Sequence, residues 1–384
     1  MSSSIPFIDI KAQQARIQAS LDRRLSDVLA HGKYIMGPEV AELERELSTF
    51  CGAAHTVSCS SGTDALLLAL AALGVGEGDA VLVPTFTFAA TAEVVPWLNA
   101  TPVFIDIAAD SFNVDLKSVE AGIETAKKAG LKPAGIIAVD LFGQPADYPA
   151  LNALAATHDM WVIADAAQSF GARQDETKVG KLAPITTTSF FPAKPLGCFG
   201  DGGAVFTDDA DLADKMRSLR VHGKGQDKYD NVVIGMNARL DTIQAAVLLS
   251  KLEIFADEIE ARARVAESYH ELLGDLVTVP RLQDGNTSAW AQYTLWSEHR
   301  DAIKAHLGEA GIPSVVYYVK PLHQQTAYKD YPVAMGGCPV AEEAAGSVLS
   351  LPMHPYLERP TQERIAAALA EAVRCAEEPL RAAG

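Results

Sequence analysis

Lys194 lies in the stretch TTTSFFPAKPLGCFGDGG, Thr186 to Gly203, whose residue types suit a lysine that works as a nucleophile or a Schiff base. Thr187 to Phe191 are β-branched, small or aromatic and read as a strand. Pro192 and Pro195 bracket Ala193-Lys194, which excludes both a continuing central strand and a helix interior. The glycines that follow, Gly197, Gly200, Gly202 and Gly203, let backbone approach a ligand or another segment. A desolvated amine on such a stiff turn gives up its proton readily and attacks carbonyls. An exposed turn lysine carries the same local signature, so the chemistry rests on the company Lys194 keeps.

Two other stretches supply that company. Ala164-Asp165-Ala166-Ala167-Gln168 ends an apolar run with an acid and two small residues. Asp165 is suited to pair with a protonated ring nitrogen, and the alanines leave room for a flat ring. The bland reading of Asp165 is a cap or turn residue. Ser60-Ser61-Gly62-Thr63 lies between a strand and a helix start, where hydroxyls and unbonded N–H groups seat a phosphate. An ordinary N-cap cluster reads the same way. No Gly-Lys-Ser/Thr follows, so this is not a Walker loop.

The elements that must hold these residues follow a regular pattern. Residues 13–30 and Glu39 to Phe50 read as amphipathic helices, and Lys33 and Tyr34 in the turn between them are candidate substrate contacts. Strands are expected at Thr56–Cys59, Ala80–Val83, Pro102–Asp106, Gly135–Val139, Met160–Ala164, Thr187–Phe191 and Ala204–Thr207. The helices Ala65–Leu73 and Ala90–Leu98 fall between them. Apolar strands alternating with helices imply an α/β fold with a mostly parallel sheet covered on both faces. Ligands of such sheets bind outside the carboxyl ends of the strands. The glycine-rich loops Gly74–Asp79 and Gly223–Lys228 read as connectors. A helix Asp209–Leu219, a polar loop Lys224–Asp230 and a long helix from Thr242 to Glu267 come next. Beyond 277, strands at Thr294–Trp296 and Ser314–Val319 mix with helices Arg300–Leu307 and Thr361–Glu377, as in a smaller α+β layer. The expected division is a large domain over 1–245 and a connecting helix with a small domain over 246–384.

Composition narrows the function class. The 384 residues are enough for two domains, and no apolar run reaches the roughly 18–20 residues of a membrane span. The N-terminus MSSSIPFIDIKAQQ has neither the basic nor the apolar region of a secretory signal. A net charge of −17 opposes nucleic-acid and anionic-membrane binding but not capture of a small anion. Five cysteines without CxxC spacing indicate neither a disulfide framework nor a zinc site, and a reducing cytoplasm fits.

With these parts assembled, the chain resembles the DegT/DnrJ/EryC1/StrS family of sugar aminotransferases. The resemblance runs through GKYIMGPEVAELE, SGTDAL, PTFTFAATAE, VDLFGQPAD, IADAAQSFGA, TSFFPAKPLGCFGDGG, GMNARLDTIQAAVL and SLPMHPYL. It implies the fold type I (aspartate-aminotransferase-like) architecture and pyridoxal 5′-phosphate (PLP) as cofactor. On that resemblance Lys194 holds the cofactor as a Schiff base and moves the proton, and Asp165 keeps the pyridine nitrogen protonated. Gln168 bonds the ring 3′-oxygen, and Phe88 stacks on the face opposite Ala167. Gly62, Thr63 and Ser189 hold the phosphate, Asn237 from the partner of a homodimer completes that seat, and Arg239 meets an anionic group of the substrate. Within the family the likeness is nearest the UDP-2-acetamido-2-deoxy-3-oxo-glucuronate aminotransferases. The chain departs from these where a His-Tyr-Pro segment is common, reading Tyr317-Tyr318-Val319-Lys320-Pro321. Tyr318 is thereby a candidate substrate contact, and this departure bears on the identity of the sugar.

The implied reaction is a pair of half-transaminations from an amino donor, L-glutamate, to a 3-keto nucleotide sugar of surface-polysaccharide synthesis, with ping-pong kinetics. Other keto sugars, dTDP-linked ones among them, and small ketones or aldehydes are alternative acceptors. A sugar 3-dehydratase of this family carries histidine at the lysine position, so Lys194 argues against it. A cysteine desulfurase needs a thiol on a mobile loop, which Cys198 on its Gly-rich turn does not offer. A non-catalytic cofactor-binding regulator would have no use for the set Lys194, Asp165 and Gln168.

Overall fold

Seven short apolar runs in this chain become one sheet, and the loops at one end of that sheet carry the chemistry. The computed structural model describes residues 5–227 and 229–382. Residues 1–4, part of the N-terminal stretch read above, and Lys228, the end of the loop Gly223–Lys228, lie outside the described residues. Helices α1 (Ile10–His31) and α2 (Pro38–Cys51) lead into β1 (His55–Cys59), α3 (Gly62–Leu73), β2 (Asp79–Pro84), α4 (Ala90–Trp97) and β3 (Thr101–Ile105). Then come α5 (Leu116–Lys128), β4 (Lys132–Val139), α6 (Tyr148–Thr157) and β5 (Trp161–Asp165). A small hairpin, β6 (Arg173–Gln174) and β7 (Thr177–Lys178), precedes β8 (Ile185–Ser189), β9 (Gly203–Thr207) and α7 (Ala210–Leu219). The chain continues through α8 (Thr242–Leu273), β10 (Tyr293–Trp296), α9 (Arg300–Glu309), α10 (Pro339–Ser347), β11 (Val348–Leu351) and α11 (Arg359–Ala382).

The sheet order is β1-β9-β8-β5-β4-β2-β3. All its strands run the same way except β9, which is antiparallel to both β1 and β8. Helices cover both faces, so strands such as β2 and β9 are buried along almost their whole length and read as continuous apolar runs. The carboxyl ends of β2, β4, β5 and β8 therefore emerge side by side. The far edge, β3, is also covered: Phe104 donates to the Pro332 carbonyl (2.9 Å) and accepts from Ala334 (2.8 Å).

A second core lies around the end of α8, where Tyr269 and Leu273 pack with Tyr293 and Leu295 of β10, Leu349 of β11 and Ile365 and Leu369 of α11. The pair β10–β11 is antiparallel. The long helix thus begins against α2 and the sheet, where Ala245 and Leu248 are buried in one cluster with Leu43, Phe190 and Phe206, and ends in the core around Tyr269.

One expected element is corrected. Ser314–Val319 is not a strand but a single bridge between Val315 and Ser350. After that bridge Tyr317 and Tyr318 pack in the aromatic cluster with Phe86, and Tyr318 meets its ring edge-on at 6.0 Å. Side-chain burial there outweighs continued pairing with β11. Helices α5, α6 and α10 are not among the elements read from sequence.

Candidate active site

Asp165 is the last residue of β5 and is buried. Its Oδ2 accepts from the Thr91 hydroxyl (3.0 Å) and its Oδ1 from the Ala167 N–H (3.2 Å). Burial raises the carboxyl's proton affinity, while Thr91, Ala167 and the charge of Lys194 oppose the rise. Lys194 lies on the turn that follows β8, its N–H donating to the Phe191 carbonyl (2.9 Å), and it is half-buried. Burial lowers the pKa of its amine and Asp165 alone works against it. The two residues thus share one desolvated site, each the other's counter-charge.

Gln168 stands on the loop leaving β5. Its Oε1 accepts from the backbone N–H of Phe142 (2.6 Å). A backbone N–H only donates, so the amide orientation is fixed and the NH2 end faces away from Phe142. That end meets Tyr318, whose hydroxyl is pushed well above its ordinary pKa by burial and by the charges of Asp165 and Tyr317, with the Gln168 bond opposing. The departure at Tyr317-Tyr318 therefore lies beside Asp165 and Gln168. Phe88 extends from the loop after β2 with 60% of its surface exposed, whereas Phe86 and Thr87 are buried, and Ala167 is half-buried.

Gly62 and Thr63 open α3. Ser61 caps the helix by accepting from Asp64 N–H (3.0 Å), and the first backbone bond is Ala65 N–H to Ser61 O, so the Gly62 and Thr63 amides precede the hydrogen-bonded turn. Ser189 at the end of β8 lies so close that a Cβ on Gly62 would stand 2.6 Å from its own Cβ. A Cβ on Gly203 would meet the Ser61 carbonyl. These glycines are what lets β8, β9 and the start of α3 converge.

The remaining expected residues form a separate outer group. Lys33 and Tyr34 are exposed, and the Tyr34 carbonyl accepts from Thr242 N–H (3.0 Å), which sets their turn beside the lead into α8. Asn237 is exposed and Arg239 half-buried on that lead. Among the described residues no hydrogen bond joins Asn237 or Arg239 to Gly62, Thr63, Ser189 or Lys194 within one chain.

Sequence reasoning missed Thr91, Phe142 and Asp140. The hydroxyls of Thr87 and Thr91 meet at 3.2 Å, but Thr87 lies in the loop before α4, so their four-residue spacing carried no helical signal. Nothing in the sequence marks the Phe142 N–H, which depends on a left-handed backbone (φ 63°) at a non-glycine residue.

Residues 15–370 match the DegT/DnrJ/EryC1/StrS aminotransferase family. A Pseudomonas aeruginosa protein named UDP-2-acetamido-2-deoxy-3-oxo-D-glucuronate aminotransferase is 47% identical over 95% of this chain and 99% of its own length. A DegT/DnrJ/EryC1/StrS aminotransferase from Brucella abortus superposes with a TM-score of 0.94 at 54% identity, covering 96% of this chain and 99% of that one. NtdA of Bacillus subtilis, solved with bound cofactor PMP, superposes with a TM-score of 0.89 at 28% identity, covering 97% and 86%.

Proposed function

This chain belongs to the DegT/DnrJ/EryC1/StrS aminotransferase family of PLP-dependent enzymes, and from that premise we propose that it moves an amino group from L-glutamate to a 3-keto nucleotide sugar of the UDP-2-acetamido-3-oxo-glucuronate type. The observation that carries this reading is the pairing of buried Asp165, at the end of β5, with half-buried Lys194, on the turn after the adjacent strand β8. The residues present fit the cofactor. The glycine at 62, which lets the start of α3 approach Ser189, leaves the Gly62 and Thr63 backbone amides open beside the Ser61, Thr63 and Ser189 hydroxyls, and these suit a phosphate. The open Phe88 ring and small Ala167 suit the two faces of a flat heterocycle, and the NH2 of Gln168 suits its ring oxygen.

When bound, PLP supplies an electron sink for the donor α-carbon. Lys194 anchors it covalently and, as a neutral amine, takes and returns a proton at Nζ. Burial favours that neutral form. Asp165 holds a proton on the ring nitrogen, and the Thr91 and Ala167 bonds aim its two oxygens. Lys33, Tyr34, Arg239 and Tyr318 contact the substrates in this reading.

The architecture is fold type I, with a large domain over 1–245 and a small α+β domain over 246–384 joined within α8. The core around Tyr269, Tyr293, Leu349 and Leu369, built almost wholly from residues beyond 245, supports that division. The chain acts as a homodimer in which Asn237 completes the partner's phosphate seat. Support comes from Val232 and Ile234, 60% and 96% exposed on the segment that carries exposed Asn237. Cytoplasmic sugar-nucleotide chemistry that feeds surface polysaccharide fits the five free cysteines. Among the described residues no helix is long and apolar enough to cross a membrane.

The test is spectroscopic. Purified protein with PLP should show a visible absorbance band that disappears with L-glutamate and returns with UDP-2-acetamido-3-oxo-glucuronate. Bleaching without return would remove that sugar from the reading, and absence of any band would overturn the site.

A further inference from the structure

Beside the pair Lys194 and Asp165 lies a second buried carboxylate that none of these roles uses. Asp140 follows the last residue of β4, is 0% exposed, and its backbone N–H donates to the Asp165 carbonyl (3.1 Å). Its Oδ1 accepts from the Tyr148 hydroxyl (2.6 Å) and the Ala146 N–H (2.9 Å), and its Oδ2 from the Ser169 hydroxyl (2.6 Å). Every one of these donors is neutral. A buried carboxylate without a cation is an expensive way to fill a core, and burial pushes this one up to about 7, with the charge of Asp165 adding to the rise.

The bonds have a common consequence. Ala146 and Tyr148 anchor the far end of the loop that begins at Leu141, while Ser169 is the residue after Gln168. Asp140 thus fastens both partners of the Phe142–Gln168 bond at once. Phe142 keeps its left-handed backbone in that loop, which directs its N–H at Gln168 Oε1. A slack loop would let the amide turn over and offer an oxygen where a donor is needed.

We propose that Asp140 is a positioning residue for the cofactor ring, which through Phe142 and Ser169 locks the Gln168 amide with its NH2 group toward the ring 3′-oxygen. The proposal rests on PLP being held at Lys194 with Gln168 at that oxygen. If the donor is lost, the anionic ring oxygen attracts the proton on the Lys194 nitrogen more strongly, and that proton is held to higher pH. One hydrogen bond to an anionic oxygen corresponds to about a tenfold change, or roughly one pH unit.

The experiment titrates the visible band of full-length holoenzyme with pH, without substrates. Asp140→Ala should move the midpoint up by about one unit and speed cofactor loss about tenfold. Asp140→Asn, whose neighbouring hydroxyls can rotate to suit an amide, should restore most of both. Ser169→Ala, which removes one tether, should give a smaller upward shift and serves if Asp140→Ala does not fold. In a Gln168→Ala background the Asp140→Ala shift should vanish, because its route is gone. An unchanged midpoint in Asp140→Ala and Ser169→Ala, or shifts that add fully to that of Gln168→Ala, would overturn the proposal. A wild-type protein with no band in the presence of PLP would instead overturn the underlying reading of Lys194.

Discussion

The hydroxyl of Thr91, in the first turn of α4, donates to Oδ2 of Asp165 at the end of β5 over 3.0 Å. It is the only side-chain bond to that carboxylate among the described residues, and it lowers the proton affinity that burial raises. Thr91→Val keeps the shape and removes the donor. If Asp165 holds the ring-nitrogen proton as proposed, losing this bond leaves it in a less defined geometry, and the proposed glutamate half-reaction should slow about tenfold. Single-turnover loss of the visible band measures this, and a wild-type rate would show that Asp165 needs no help from Thr91.

On the proposed role of its amine as covalent anchor and proton carrier, Lys194→Ala should lower turnover by at least about 10³-fold and eliminate the visible band. Multiple-turnover assay with glutamate and keto sugar, paired with a spectrum, checks it. Full activity in this variant would sink the assignment.

Gly62→Ala places a methyl 2.6 Å from the Ser189 Cβ, so strand β8 or the start of α3 must shift. We expect a stability loss of about 1–3 kcal/mol and weaker cofactor binding. Adding Ser189→Gly should recover stability but not the cofactor affinity, since the seat then lacks its hydroxyl. Thermal unfolding with and without PLP separates the two effects.

Asp140 gives a pH dependence with a definite sign. Its proton affinity is raised from an unfolded value of about 4 to about 7 in the fold, so folding favours the protonated form. The stability this contributes is fully present below about pH 4 and is lost as pH rises through about 7. Asp140→Asn carries no charge to bury, so its stability should decline less than that of wild type over this window. Denaturant midpoints at pH 5 and pH 8 test it; equal declines would mean Asp140 is not the group responsible.

Ile234 is 96% exposed. Ile234→Glu should weaken the proposed dimer through charge burial, and with it the phosphate seat that we propose Asn237 of a second copy completes. Light scattering should find monomer and equilibrium dialysis a lower PLP affinity. A monomeric variant with wild-type affinity would remove Asn237 from the seat.

Residue types and their local order were enough to read the alternation of apolar strands and helices, because a parallel sheet buried on both faces demands continuous apolar runs. They also marked the stiff turn at Lys194, since two prolines and four glycines act on the backbone wherever they occur. Asp165, Gln168 and Gly62 were legible as strand-end and helix-start residues for the same reason. The strand expected at Ser314–Val319 failed because β-propensity counts side-chain fit to a pleated surface, and Tyr317 and Tyr318 found a better surface against Phe86. Thr91 and Asp165 are 74 residues apart, and Phe142 and Gln168 are 26 apart. Their meetings depend on strand order, which no local propensity encodes. So the sequence alone placed the candidate residues at or just beyond strand ends and at a helix start. Only the tertiary structure decided which way the Gln168 amide faces, which hydroxyl holds Asp165, and that a second buried carboxylate, Asp140, bonds to Ser169 and to the loop after β4, because orientation is settled by contacts between distant segments.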